Sequence, residues 1–333
     1  MRQRVCDAIN HKQTDITPWH FDLTTSFKGE LMQGIEGDDA ELYLGNHLLR
    51  AKYKQNEKLG GKKERDFFGV TWLNVDDGGD VGVVTGFPLM EKSLDEYVFP
   101  AIKVGFARKL CEELESDISG RFRMFSLTMC YYERAWSLRG IENILLDMYL
   151  DEKGTEALFA KILEHNLELL DTVLDYDYEG VYFGDDWGQQ QGLIMGPDLW
   201  RKYIGPGVAK MYEKVKSKGK FVIQHSCGDN RAILSDLVDM GMDVYNTIQP
   251  EIYDLKQLKK DYGKHLTLYG GVSTQHFLPE ATVKECKEMA LYMLDVVGYD
   301  GGFIFGPAHA VTPDIPRENV LAMVDVVKNY KWF

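Results

Sequence analysis

The chain contains no run of about 18 apolar residues, so it offers no helix able to span a bilayer. Cysteine is sparse. Cys6, Cys111, Cys130, Cys227 and Cys286 are odd in number and scattered, which argues against a disulfide framework. Positive charge is in deficit: 38 Lys and Arg face 52 Asp and Glu, leaving a net charge of −14. That sign argues against nucleic acid or an anionic membrane as the main partner. No Pro/Ser-rich linker or low-complexity tract interrupts the sequence, so one domain over 1–333 is expected, with a helical arm at 1–15. There is no GxGxxG fingerprint, P-loop or GxSxG elbow, which removes the sequence signals for a dinucleotide fold, a P-loop NTPase and a serine hydrolase. The opening stretch, Met1 to Trp19, is charged throughout and lacks the apolar core of a secretory signal, which predicts a cytoplasmic protein.

What is present is ample apolar material, 44% of 333 residues, and a regular rhythm. Short β-rich runs begin near Ile16, Arg123, Val181, Phe221, Asp243, Leu266 and Phe303. Helical stretches alternate with them at 142–174, 198–216, 232–240, 255–262, 283–297 and 316–328. Residues 36–58 also read as helix, Phe67–Leu73 as a hairpin arm or an eighth strand, and the glycine-rich segment 76–86 as loop or hairpin. Alternation of this kind predicts a parallel sheet with helices outside, and its length predicts a (β/α)8 TIM-type barrel with an N-terminal helical extension.

In such a barrel the chemistry lies where strands end. Those positions carry Asp22, Asp185, Asp186, His225, Cys227, Gln249, Ser273 and His309. His225 and Cys227 are two residues apart, so on extended backbone they share a face. Imidazole and thiolate are both good zinc ligands; a buried thiol beside a backbone-bonded histidine is the structural alternative. His309 is the first choice for a third ligand, ahead of Asp185, Asp186 and Glu133, and the fourth position is left to solvent or substrate. Of the adjacent Asp185 and Asp186, one is expected to act as general acid, base or substrate anchor and the other to cap a helix. His309 is aimed at the mouth by the glycine-rich turn before it. His20, Asp22, Trp187, Gln189 and Gln249 are the expected substrate-binding residues, although His20 also fits a core position. Aromatics near the strand ends, among them Trp19, Tyr131, Tyr132 and Tyr269, read either as pocket walls or as barrel filling.

Several of these pieces resemble one family. Arg4-Val5, Asn10-His11-Lys12 and Asp15-Ile16-Thr17-Pro18 stand near the start. Leu94-Asp95-Glu96-Tyr97-Val98-Phe99-Pro100, Gly184-Asp185-Asp186-Trp187-Gly188 and His225-Ser226-Cys227-Gly228 follow. Gly270-Gly271-Val272-Ser273-Thr274-Gln275 and the run from Gly301 to His309 close the series, with Pro313, Pro316, Glu318 and Asn319 after them. In that order they are similar to the uroporphyrinogen decarboxylase superfamily, which also contains corrinoid-dependent methyltransferases. The decarboxylases carry an arginine-rich loop after the first strand; here Trp19 to Ser26 holds no arginine and adds Asp22. Arg–carboxylate pairs are the strong contacts for a polycarboxylate substrate, so the resemblance favours the methyltransferase branch. That branch uses zinc held by a His-x-Cys pair and a later cysteine. His225 and Cys227 match the pair, and His309 stands in the turn where the later cysteine belongs.

The resemblance therefore implies a zinc-dependent methyltransferase. It would move a methyl group between a small methylated substrate, such as a methoxylated compound undergoing O-demethylation, and a corrinoid carried by a partner protein. A homodimer is also implied. The alternatives are a cofactor-free decarboxylase of a porphyrinogen-like or other carboxylated substrate, and a non-catalytic barrel that binds a corrinoid or tetrapyrrole.

Overall fold

A computed structural model describes residues 1–37, 39–75 and 82–332. The chain folds into two compact units. The first joins Met1–Leu49, Asp117–Arg123 and Asp243–Phe333; the second joins Arg50–Ser116 and Met124–Met242. Seven strands follow chain order in one sheet: β1 (Leu48–Lys52), β2 (Phe122–Thr128), β3 (Gly180–Gly184), β4 (Phe221–His225), β5 (Val244–Asn246), β6 (Thr267–Val272) and β7 (Phe303–Pro307). The result is an α/β fold with an open seven-stranded parallel sheet, which corrects the expected closed eight-stranded barrel.

In the second unit β3 lies between two parallel neighbours. Ser126, Tyr182 and Ile223 sit side by side, and two residues further along so do Thr128, Gly184 and His225. Every residue of β3 is buried, as expected for a strand covered on both faces. The long helix Glu152–Val173 buries Leu158, Ile162, Leu169 and Val173, a spacing that keeps one apolar face. In the first unit β5, β6 and β7 pair in parallel. Helices Val283–Val296 and Arg317–Asn329 belong to the same unit, the former opened by a capping box between Thr282 and Glu285. Among the described residues no helix is long and apolar enough to cross a membrane.

Three local expectations change, and the hairpin-arm reading of Phe67–Leu73 holds in place of an eighth barrel strand. Among the described residues of 36–58 the helix is confined to Ala40–Tyr43, before β1, because Gly45 takes a φ of +69° that ends the helix and turns the chain into a strand. The stretch from Ile16 to Asp22 is no sheet strand: it touches β7 through one isolated bridge, Trp19 to Phe305, and a second bridge, Leu23 to Val311, lies just beyond both segments. The region around Phe67–Leu73 contributes Thr71–Asn74 to a separate antiparallel sheet with Glu57–Gly60, Lys63–Arg65 and Gly82–Gly86. Within the segment 76–86, residues 76–81 lie outside the described residues. The predicted helix over 142–174 is two helices, divided where Asp151 leaves helical geometry and accepts a hydrogen bond from the Gly154 N–H at 3.0 Å.

Candidate metal centre

The centre of the second unit is built from two loops that leave β3 and β4 side by side. The Asp185 N–H donates to the His225 carbonyl at 3.1 Å, the Gly188 N–H to Cys227 at 3.2 Å, and the Asp229 N–H to Gln189 at 2.8 Å. Two glycines make this approach possible. A Cβ at Gly228, whose φ is +83°, would lie 2.1 Å from the Gly188 carbonyl carbon, and one at Gly188 would lie 2.6 Å from the Asp229 nitrogen. The fully buried Asn230 ties the second loop from within, its amide reaching the carbonyls of Ser226, Cys227 and Gly228 and the Ser226 hydroxyl at 3.2–3.4 Å. Ser226 in turn accepts from the Trp187 N–H at 3.0 Å.

This scaffold places His225 Nε2 3.5 Å from Cys227 Sγ. Ligand distances of about 2.1 and 2.3 Å around a tetrahedral zinc would separate nitrogen and sulfur by roughly 3.6 Å. The pair thus already has the spacing of two zinc ligands. Asp186 stands beside both: its Oδ1 accepts from the Cys227 N–H at 2.8 Å and lies 3.7 Å from His225 Nε2. The donor set is an imidazole, a sulfur and a carboxylate oxygen, all of which zinc accepts.

Asp185 faces the opposite way. Only 1% exposed, it accepts from the backbone N–H groups of Tyr131, Tyr132 and Glu133 and from the Trp187 indole at 2.6–3.2 Å. It therefore caps the N-terminus of helix Tyr132–Arg139, where a carboxylate is also favoured by the helix dipole. Burial pushes Asp185 up to about 6 against the pull of those donors. Burial, followed by the charges of Asp186 and Asp185, pushes Glu133 well above the usual carboxylate range. Burial, followed by Asp186 and Glu133, also raises the Cys227 thiol. A bound dication would reverse these last influences and favour the thiolate.

A family model described as Uroporphyrinogen decarboxylase (URO-D) matches residues 75–330. The chain belongs to the uroporphyrinogen decarboxylase family. A methylcobamide:CoM methyltransferase, MtaA, of Methanosarcina barkeri is 28% identical over 138 residues, which are 41% of this chain and 38% of that protein. The chain thus spans well under half the length of this curated relative. A uroporphyrinogen decarboxylase of Pelobacter propionicus is 24% identical over 242 residues, 72% of this chain and 67% of the relative. A solved methyltransferase from Methanosarcina mazei shares the fold, with a TM-score of 0.73 at 18% identity and 98% of each chain covered. Within the family the chain stands closer to the corrinoid-dependent, MtaA-like branch than to the decarboxylases proper.

The other residues predicted from sequence occupy varied settings in this URO-D family member. Trp187 is fully buried, packed edge-on against Trp200 at 5.4 Å, with its indole N–H committed to Asp185. Gln189 is exposed beyond the same loop. In the first unit His20 is 2% exposed and meets Tyr269 edge-on at 6.3 Å; Asp22 is half-buried, Gln249 is buried, and His309 is exposed two residues after β7. Ser273 donates to Glu251 on another loop and accepts from the His276 N–H of its own turn. Sequence reasoning passed over Arg50, Tyr182 and Asn230. Arg50 was concealed within a predicted helix. Asn230 lies three residues after Cys227, and nothing in its spacing marks it as the knot of the loop.

Proposed function

We propose that the protein is a zinc-dependent methyltransferase that moves a methyl group between a small methylated substrate and a corrinoid carried by a partner protein. The observation that carries this reading is the 3.5 Å separation of His225 Nε2 and Cys227 Sγ, in a chain closer to the MtaA-like branch. The proposed ligands are His225 and Cys227, with His309, the third donor expected from the sequence, completing the proposed set. Zinc bound there would supply Lewis acidity at the heteroatom that gains or loses the methyl group. Around it, Asp186 holds the Cys227 backbone in place and is the partly exposed carboxylate available to take or give a proton or to anchor substrate. Asp185, with Trp187 behind it, fixes the loop and the helix that carries Glu133. His20, Asp22, Gln189 and Gln249 are the proposed substrate contacts, and His309 combines a ligand role with one at the reacting group. Methoxylated compounds and thiols are the substrate classes to test first.

The test is metal analysis of the purified protein, together with methyl transfer between free cobalamin and a panel of small methoxylated compounds and thiols. Stoichiometric zinc with turnover that disappears in Cys227→Ser supports the reading; turnover that survives in that variant refutes it. Porphyrinogen decarboxylation is the second reading, favoured by the longer match to the Pelobacter enzyme. Loss of carboxylates from a porphyrinogen, with no methyl transfer, would establish it instead.

A further inference from the structure

Tyr182, two residues back along the neighbouring strand from the partner of His225, lies 6.0 Å from the imidazole centroid to centroid, with 24° between the rings. It is 4% exposed. The register explains how it reaches. The residue directly beside His225 is Gly184, which has no side chain, so the phenol meets the imidazole diagonally across the sheet. The Arg50 guanidinium lies 4.5 Å above the centroid of the same Tyr182 ring. Arg50 comes from β1, two strands away from β3. Three residues from three strands thus make one column of guanidinium, phenol and imidazole.

We infer that Arg50 and Tyr182 are positioning residues for His225, a column that holds the imidazole in the plane that faces Cys227. This rests on the reading of His225 and Cys227 as a metal pair. The argument is geometric. Rotation of an imidazole about its terminal torsion is soft, so a staggered rotamer does not by itself fix where Nε2 points. A flat neighbour restricts that rotation, and a cation over the neighbour's face restricts the neighbour. Metal sites lose affinity when the groups that orient a ligand are removed, even though the ligand itself remains. Neither Arg50 nor Tyr182 need touch substrate or metal to have this effect.

The test uses the full chain with four substitutions, Tyr182→Phe, Tyr182→Leu, Arg50→Lys and Arg50→Met. Zinc affinity is measured by competition with a chromophoric chelator, and the cobalt(II)-substituted proteins are compared by visible absorption. Tyr182→Leu should weaken zinc binding about tenfold and alter the cobalt ligand-field bands, whereas Tyr182→Phe, which keeps the ring, should stay within about twofold of the parent. Arg50→Met should shift affinity in the same direction by a smaller factor, with Arg50→Lys restoring part of it. A fold defect alone would not sort the variants by ring and by charge; thermal melts of all four give that control. In the metal-free protein, the NMR nuclear Overhauser contact between the His225 ring and the Cys227 side chain should weaken in Tyr182→Leu and hold in Tyr182→Phe. If Tyr182→Leu and Tyr182→Phe behave alike in both affinity and NMR, the column does not position His225. If the parent binds neither zinc nor cobalt while the His225–Cys227 contact weakens in Tyr182→Leu alone, the column stands and the metal reading falls.

Discussion

Replacing Gly228 with alanine should damage both the fold and the metal pair, because the loop that carries Cys227 has no room for a Cβ. At φ +83° an L-residue is strained by about 1–2 kcal/mol. The new methyl carbon would sit 2.1 Å from the Gly188 carbonyl carbon and 2.4 Å from its oxygen, both backbone atoms that no rotamer change can move aside. The loops must separate. The hydrogen bonds most exposed to that separation are Gly188 N–H to Cys227 at 3.2 Å and Asp229 N–H to Gln189 at 2.8 Å. At roughly 1 kcal/mol each, their loss brings the total to about 3–4 kcal/mol. Urea unfolding followed by far-ultraviolet circular dichroism measures the stability change, and chelator competition measures zinc affinity on the same preparation. The variant should lose about 3 kcal/mol and bind zinc at least tenfold more weakly, since Cys227 is displaced relative to His225. An alanine variant within about 1 kcal/mol of the parent, with unchanged zinc affinity, would refute the argument that close backbone contact sets the pair.

Asp185→Asn should destabilise the protein by about 2 kcal/mol in the same unfolding assay. An amide oxygen cannot accept from four N–H groups, and this loss outweighs the relief of removing a buried charge. His47 is held neutral by burial and by Arg4, whose Nη1 donates to its Nε2 at 2.9 Å, and its pKa falls to about 3. Between the unfolded value near 6.5 and this folded value the unfolded chain takes up a proton that the folded one does not. Stability should therefore fall with decreasing pH by up to about 1.4 kcal/mol per pH unit across that window, a contribution that His47→Gln removes. Stability curves at pH 4, 5 and 6 check it, and parallel slopes for the two proteins would contradict it. Asn230→Ala should loosen the Ser226–Gly228 loop and reduce zinc affinity about tenfold while leaving most secondary structure intact, as judged by circular dichroism.

Much of this arrangement was legible in the residues. The apolar runs that end in Asp185-Asp186 and in His225-Ser226-Cys227 are strands, and the two-residue spacing of His225 and Cys227 puts them on one side of the chain as extended geometry requires. The alternation of strand and helix pointed to the parallel sheet. What escaped was governed by contacts distant in sequence. The strand at Leu48–Lys52 is short, carries Arg50 and Lys52 among its five residues, and is specified by pairing with β2 rather than by its own pattern. Missing it also hid the cation that reaches Tyr182. Ile16 to Asp22 has strand-like composition, yet it forms a single bridge to β7, at Trp19 and Phe305, which local sequence does not encode. The division of labour between Asp185 and Asp186 depends on three amides more than 50 residues away in the chain, at Tyr131, Tyr132 and Glu133.

Zinc stoichiometry tests the centre most directly. After exhaustive dialysis against metal-free buffer and reloading, elemental analysis of the parent protein should return about one zinc per chain, and the His225→Ala and Cys227→Ser variants, folded by circular dichroism, should each return far less. A parent that retains less than about a tenth of an equivalent, or variants that retain as much as the parent, would contradict the assignment of these two side chains to a metal.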